Sequence, residues 1–416
     1  QFYYGDIARL TNPAADDIVG GTQDNGTQFS RASASGINPF VIELGGDGAF
    51  TEIDKDGDYM ITSFPGASHV FLVWPVTQSL SGHFIVNEGS NGSFINTAEL
   101  DENLDLFYTN TSTATTFRIS QFSNFKTGAA QMQRRNLTNA MLDESVTAMK
   151  ATPISPPIAN KYVGLLNGKL IRISDVESAP NRTWTDITGP GFIGSISDIE
   201  FGQSESEILV TMHNFGVPSL WYTTDGGATW QNKEGNLPDI PVRAVLQNPH
   251  KTDEVILGTM LGVWRTDNFN DSIPPSWSQS QNGMSDVSVV DLDLIADAGS
   301  SPTTSTVLAT THGRGMFTGT FNEFRLSLED NLLANNQLKI FPTLASTEIN
   351  LIANSNLGEA DVKIYNLSGQ QMLSQKIDLN FGNSNRVLLN GFSNGVYILS
   401  VKGEGISKTQ KFVVRK

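Results

Sequence analysis

The chain has 416 residues, a formal net charge of −16 and no cysteine. The missing thiols exclude disulfides, thiolate metal sites and a cysteine nucleophile, and the acidic balance argues against nucleic acid as a partner, since phosphate contacts need a basic surface. With 38% hydrophobic and 17% charged residues and 38 glycines, the composition fits a folded, turn-rich, all-β protein of one large domain and one small one.

No apolar run reaches the ~18 residues needed to cross a bilayer. The chain opens at Gln1 with no signal-like stretch behind it, so it is expected to be a processed product or part of a longer parent chain. Phe2-Tyr3-Tyr4 and Ile18-Val19-Gly20-Gly21-Thr22 read as the first two strands of a four-stranded unit, with Gln23-Asp24-Asn25 in the turn after them. Asp54-Lys55-Asp56-Gly57-Asp58 has oxygen ligands at alternate positions, as at the start of a calcium loop. The downstream bidentate glutamate is missing, so an acidic turn is the plainer reading of Asp54, Asp56 and Asp58, and Ca²⁺ the only cofactor to consider. Tyr59-Met60-Ile61-Thr62 with Val70-Phe71-Leu72-Val73 suggests a second unit. Leu104 to Tyr108 with Thr116-Phe117-Arg118-Ile119 suggests a third.

From Val146 the repeat sharpens. One block runs from Val146 and Ala148 through Tyr162-Val163-Gly164-Leu165 and Leu170-Ile171 to Thr183-Trp184. The next has Ile196 and Ile199, Ile208-Leu209-Val210-Thr211, Leu220-Trp221-Tyr222-Thr223 and Thr229-Trp230. A third has Val242 and Val245, Val255-Ile256-Leu257-Gly258-Thr259, Val263-Trp264-Arg265-Thr266 and Ser276-Trp277. The fourth has Val287 and Val290, Val307-Leu308-Ala309-Thr310 and Met316-Phe317-Thr318. Trp184, Trp230 and Trp277 are 46 and 47 residues apart. Four short apolar runs per period of about 45 residues describe one blade of a β-propeller. Three irregular units and four clear ones predict seven blades over residues 1–321. The tryptophans should stand at equivalent places near the starts of outer strands. Trp230→Ala should cost roughly 3–5 kcal/mol if that ring is fully buried. The last block ends at Phe321 without an outer strand, which the extreme N-terminus or residues before Gln1 are expected to supply.

Thr223-Thr224-Asp225-Gly226-Gly227-Ala228-Thr229-Trp230 meets every fixed position of Ser/Thr-x-Asp-x-Gly-x-Thr-Trp. It resembles the Asp-box, or BNR repeat, of sialidase-like propellers. The resemblance implies a structural turn in which Thr223, Asp225, Gly227, Thr229 and Trp230 hold a blade corner. Gly20 to Thr27, followed by Gly45-Gly46-Asp47-Gly48, is similar to segments of large secreted proteins with such repeats. True sialidases add an arginine triad, a Phe-Arg-Ile-Pro motif and a Tyr/Glu pair; here Phe117-Arg118-Ile119 is followed by Ser120 rather than proline and lies deep in the domain, so sialidase activity is not expected.

In a propeller the turns between second and third strands share one face. That arrangement would gather Gln23, Asp24, Asn25, His213, Asn214, His312 and Arg314 on one rim, as ligand contacts or as solvated loop tips. His213 and His312 hold matching repeat positions, but no third ligand has zinc-like spacing. Asp271-Ser272-Ile273 resembles a bacterial O-glycosylation acceptor, and an ordinary loop is the plainer reading.

Residues 1–321 carry 17 basic against 35 acidic side chains, and residues 322–416 carry 10 against 8. With the charge shift comes a period-two pattern from Leu338, after an expected linker at 322–337. Its runs include Glu348-Ile349-Asn350-Leu351, Val362-Lys363-Ile364-Tyr365, Gly395-Val396-Tyr397-Ile398 and Lys411-Phe412-Val413-Val414. They predict a small immunoglobulin-like antiparallel sandwich of about seven strands over 338–416. The order Tyr365-Asn366-Leu367-Ser368-Gly369, Gly395-Val396-Tyr397 and a basic end at Lys411, Arg415 and Lys416 resembles the type A C-terminal sorting domain of type IX secretion cargo in Bacteroidota. An opening Pro-Asn-Pro has drifted to Phe341-Pro342-Thr343-Leu344. The resemblance implies passage through the periplasm and outer membrane, with a translocon barrel and a shuttle barrel as partners, and an extracellular or surface location. The propeller is expected to bind a glycan or a protein. A polysaccharide-degrading hydrolase of the Asp-box class is the alternative, and sequence selects no carboxylate pair for it.

Overall fold

The computed structural model describes residues 1–12, 14–74, 82–153, 159–271, 273–280, 283–284, 286–296, 304–322, 338–366, 370–403 and 406–416. The chain divides into two compact units, Gln1–Glu323 and Phe324–Lys416. The expected linker lies outside the described residues apart from Asn322, and so do Ser272 and Gly369.

The described part of the first unit forms seven antiparallel sheets, each made of consecutive strands in chain order. The first comprises Phe2–Asn12, Ala15–Thr22, Gly26–Ser33 and Val41–Leu44, and the second Thr51–Ile53, Tyr59–Phe64, Ala67–Val73 and Gly82–Glu88. The third comprises Ala98–Asp101, Leu106–Asn110, Ile119–Ser123 and Gln133–Leu137. The fourth comprises Val146–Ala151, Lys161–Leu165, Leu170–Ser174 and Thr183–Asp186. The fifth comprises Ile196–Phe201, Ile208–Met212, Leu220–Thr223 and Gln231–Asn232. The sixth comprises Val242–Gln247, Val255–Thr259, Gly262–Thr266 and Ser278–Ser280. The seventh has three strands, Val289–Ala296, Thr304–Thr311 and Met316–Asn322.

The second strands read as continuous apolar runs because both of their faces are covered. Successive side chains leave opposite faces of a strand. Val163 packs into a cluster with Leu106 and Leu137 of the third sheet, while its neighbour Tyr162 packs with Ile199 and Val210 of the fifth. The same division recurs at Leu209, which faces the sixth sheet, and Val210, which faces the fourth. Apolar clusters of this kind join every consecutive pair of sheets. A further cluster joins Ile7 and Ile18 of the first sheet to Leu308 of the seventh. Each such side chain withdrawn from water contributes about 1.5–3 kcal/mol.

The contact between the seventh sheet and the first corrects one expectation. The extreme N-terminus does not supply an outer strand to the seventh sheet. Phe2–Asn12 is instead the first strand of its own sheet, paired with Ala15–Thr22. Its Gly5 N–H donates to Asp291 Oδ2 at 3.0 Å and its Ile7 N–H to Asp293 Oδ2 at 3.2 Å. The N-terminal segment thus meets the last sheet along its inner strand, where alternating Asp6 and Ile7 bury one polar and one apolar group.

Trp230 Nε1 donates to Ile187 O at 2.9 Å and Trp277 Nε1 to Lys233 O at 3.1 Å. Each carbonyl belongs to the residue just after the outer strand of the preceding sheet. Trp184 packs against the cluster containing Leu137, the last residue of the third sheet's outer strand. The three tryptophans therefore seal successive sheet-to-sheet seams. Trp277 is 3% exposed and Trp230 half-buried, so full burial holds only for Trp277.

The second unit has a three-stranded sheet of Leu338–Phe341, Glu348–Ala353 and Ser384–Leu388. A five-stranded sheet runs Leu344–Ala345, Ile406–Val414, Gly395–Gly403, Gly358–Asn366 and Gln371–Leu379. One core holds Leu338, Ile349 and Leu351 from the first sheet and Val362, Leu399 and Phe412 from the second. Eight strands are described rather than about seven, and one pair is not antiparallel: Leu344 and Ala345 run parallel to Val413 and Val414. That short strand covers only the end of the final strand.

Candidate functional site

The first strands of all seven sheets line one cavity of about 370 Å³. In five of them the register slips by one residue at the same place, leaving Tyr3, Thr147, Ser197, Arg243 and Val290 as the inserted residues. A bulge re-aims its extra side chain, and all five residues line the cavity.

Below this row the wall turns acidic, for a reason that lies in the backbone. A first strand has a partner on one side only, so alternate N–H groups on its free edge face the cavity and need acceptors. Carboxylates from the preceding sheet supply them. Asp6 accepts from Ile53 N–H, Glu52 from Leu100 N–H at 3.3 Å, and Glu99 from Ala151 N–H at 2.6 Å. Asp198 accepts from Val245 N–H at 2.9 Å, and Asp291 and Asp293 accept from Gly5 and Ile7. Lys150 Nζ meets Glu200 at 2.8 Å. Burial pushes Asp198 up to about 7 against the opposing charge of Lys150, and Asp291 up to about 6; burial, reinforced by neighbouring carboxylates, holds Asp6 and Glu52 well above the usual carboxylate range. These carboxylates are engaged as acceptors for the next sheet, not left as a free pair across a cleft.

In five of the sheets the turn between second and third strands lies beside the chain entering the first strand. Leu166 N–H donates to Ser145 O at 2.9 Å, His213 N–H to Ser195 O at 2.9 Å, and His312 N–H to Ser288 O at 2.8 Å. Met260 N–H likewise donates to Pro241 O at 3.3 Å, and Gln23 N–H to Gln1 O at 3.3 Å. The row of bulge residues, second in each strand, is thus the one nearest these turns. The exposed Leu166, Phe215, Met260 and Leu261 stand in the same set of turns.

The expected rim residues divide. His213 lines the cavity, where burial lowers it to about 4 and keeps the ring neutral, and among the described residues its Nε2 has no partner. Tyr3 joins two more, its hydroxyl donating to Gln23 Oε1 at 2.8 Å and its ring lying 5.5 Å from that of His312. Asn214 caps the chain instead, accepting from Ser195 N–H at 2.6 Å. Asp24 and Asn25 are exposed, with Asp24 N–H bonded to Asp47. Arg314 is exposed too and reaches Met284 O. Tyr3, Ser197 and Arg243 were not anticipated. A signal existed: aligning the block openings puts Ser197 and Arg243 one residue after Ile196 and Val242.

Asp225 lies between the third and fourth strands of the fifth sheet. It accepts from Thr229 N–H at 2.8 Å, Thr229 Oγ1 at 2.7 Å and Thr223 Oγ1 at 2.7 Å, and these bonds lower it to about 2. Gly227, at φ 92°, donates its N–H to Thr223 Oγ1 at 3.1 Å. In the acidic turn, Asp54 accepts from Asp58 N–H at 3.2 Å, Asp58 pairs with Lys126 at 2.9 Å and Asp56 is exposed. Among the described residues, no three histidine or acidic side chains are grouped to hold a metal ion.

In the second unit, Tyr397 is buried, donates to Ser393 O at 3.1 Å and stacks on Phe412 with centroids 5.8 Å apart. Gly395 pairs with Val414 and Val396 with Val413, while Lys411, Arg415 and Lys416 are exposed on and after the last strand.

Residues 339–415 match the family model described as the secretion system C-terminal sorting domain. No curated protein matches the chain. The sorting tail implies a secreted cargo protein, recognised by the type IX secretion machinery and exported through the outer membrane to the cell surface or the extracellular space.

Proposed function

From the sorting tail as premise, we propose that the chain is type IX cargo whose first unit is a seven-bladed β-propeller of the Asp-box class. In this reading the propeller binds an extracellular glycan or protein at the cavity mouth bordered by the second-to-third strand turns. The observation that carries the propeller is the run of carboxylate-to-backbone bonds that passes from the seventh sheet to the first. The observation that favours binding over hydrolysis is that the cavity carboxylates are taken up by backbone donors. A glycan array read beside a reducing-sugar assay separates the two. Capture without new reducing ends is expected, and release of reducing ends would favour the hydrolase.

Sorting is assigned to residues 338–416 and binding to 1–321. Among the described residues the backbone of 406–412 has a ladder partner on one side only, because Leu344–Ala345 pairs no further than Val413, while the Lys408 and Gln410 side chains donate to Leu338 O and Ile340 O. An open strand edge can take an added strand, and the exposed Lys411, Arg415 and Lys416 flank it. The translocon barrel and the shuttle barrel are the proposed receivers. Residues 330–416 fused to a foreign periplasmic passenger should reach the surface in a strain with a working type IX system. Retention of the fusion in the periplasm, while the native protein is exported, would defeat the assignment.

A further inference from the structure

We infer that the cavity mouth is a site for a carboxylate-bearing small ligand, held by the guanidinium of Arg243. The inference rests on the reading that this mouth binds a ligand, and it adds the chemistry.

Arg243 is the inserted residue of the sixth sheet's bulge, so its side chain is set on the cavity wall rather than in a sheet-to-sheet seam. It is half-buried, and among the described residues it has no carboxylate and no hydrogen-bond partner; its Nε is enclosed and unsatisfied. This is anomalous in a chain with 43 acidic and 27 basic residues. Lys150, on the same wall, has Glu200 at 2.8 Å. A guanidinium withdrawn from water without an acceptor costs free energy that a bound oxyanion would recover, and its planar fork of donors matches a carboxylate.

The neighbours suit the rest of such a ligand. His213 lines the same cavity, and among the described residues its Nε2 has no partner. Ser197 and Thr147, in the equivalent positions of the two preceding sheets, also line the cavity, but their hydroxyls are engaged within the protein, Ser197 Oγ donating to Val242 O at 2.7 Å and Thr147 Oγ1 to Gly164 O at 3.3 Å. The neutral imidazole nitrogen can bond a sugar hydroxyl. The acidic rows do not cancel the guanidinium: Asp198 and Asp291 lie one row deeper and are turned to Val245 and Gly5 N–H.

The test is calorimetric titration of the full chain with galacturonate and with galactose, which lacks the carboxylate. Galacturonate is expected to bind at least roughly tenfold tighter, the margin of a charge-assisted hydrogen bond. Arg243→Gln should erase that margin and Arg243→Lys retain part of it. Arg386→Gln, on the strand Ser384–Leu388 of the second unit, should leave it intact. An unchanged melting temperature of each variant shows that the fold is kept. Competition by citrate assigns the site to organic acids at large, and failure to compete assigns it to acidic sugars; both support a carboxylate site. Equal binding of the two sugars overturns the carboxylate while leaving a glycan site standing. A margin that survives in Arg243→Gln moves the carboxylate elsewhere. Absence of binding by either sugar or by citrate overturns the inference, and the array then decides whether the mouth binds anything.

Discussion

Two kinds of aspartate hold the first unit together, and they work in opposite ways. At the outer turn of the fifth sheet, Asp225 collects donors from residues within four positions of itself, stays in water and is lowered to about 2. On the cavity wall, Asp198 and Asp291 accept N–H groups from the next sheet, 47 and 286 positions away in the chain, and are raised by burial. The outer aspartate folds its own corner. The inner ones join one sheet to the next, so the cavity wall depends on the whole set of sheets being assembled.

Seams between sheets should dominate stability. Trp277→Ala should lower unfolding free energy by about 3–5 kcal/mol in urea titrations, because a nearly inaccessible indole and its bond to Lys233 are both lost. Trp230→Ala should cost clearly less, since that ring is half-buried. Equal losses would show that exposure does not grade these seams.

Asp291→Ala should come next, at roughly 1–3 kcal/mol, as Gly5 N–H loses its acceptor where the seventh sheet meets the first. The inner aspartates also fix the sign of a pH dependence. A carboxyl raised in the folded state binds its proton more tightly there than in the unfolded chain, so it favours folding most below about pH 4. That contribution fades as pH rises through about 6 for Asp291 and about 7 for Asp198. Asp198→Asn, neutral at every pH, should therefore melt near the parent at pH 4.5 and above it at pH 8. A variant that tracks the parent at both values would mean that Asp198 is not raised.

Asp225→Ala should have the smallest effect, a modest fall in melting temperature at neutral pH. Asp225 is lowered, so what it contributes is present above pH 4 and lost as pH falls through about 2. A loss larger than that of Asp291→Ala would reverse the comparison between the outer turn and the cavity wall.

The outer turn was legible in the sequence because its bonding is local. Thr223, Asp225, Gly227 and Thr229 lie within seven positions, so residue order alone specifies who bonds whom. The strand repeats were legible too, because runs such as Tyr162-Val163-Gly164-Leu165 are apolar on both faces, as strands covered on both sides must be. In the second unit Tyr397 was marked by its apolar strand run, and in the structure burial alternates along that strand, placing Tyr397, Leu399 and Val401 in the core.

The cavity was not legible. Arg243 reads in sequence as a polar residue between Val242 and Ala244, a solvent-facing position in an ordinary strand. Only the bulge turns it onto the wall, and a bulge depends on how Val242–Gln247 pairs with Val255–Thr259. Asp198, Asp291 and Asp293 read as acidic interruptions of apolar strands, with nothing nearby to say that Val245, Gly5 and Ile7 would be their donors. The seventh sheet shows the same division. Its three strands among the described residues and the reading of Phe2-Tyr3-Tyr4 as a first strand both came from the sequence, but that this first strand would meet the seventh sheet was decided by the apolar seam of Ile7 and Ile18 with Leu308. Sequence by itself determined what adjacent residues settle among themselves: strands, the aspartate turn, and the order of motifs in the sorting domain. Tertiary structure alone decided which distant strand satisfies each free edge, because an N–H left open by one sheet can be closed only by whatever sheet is packed beside it.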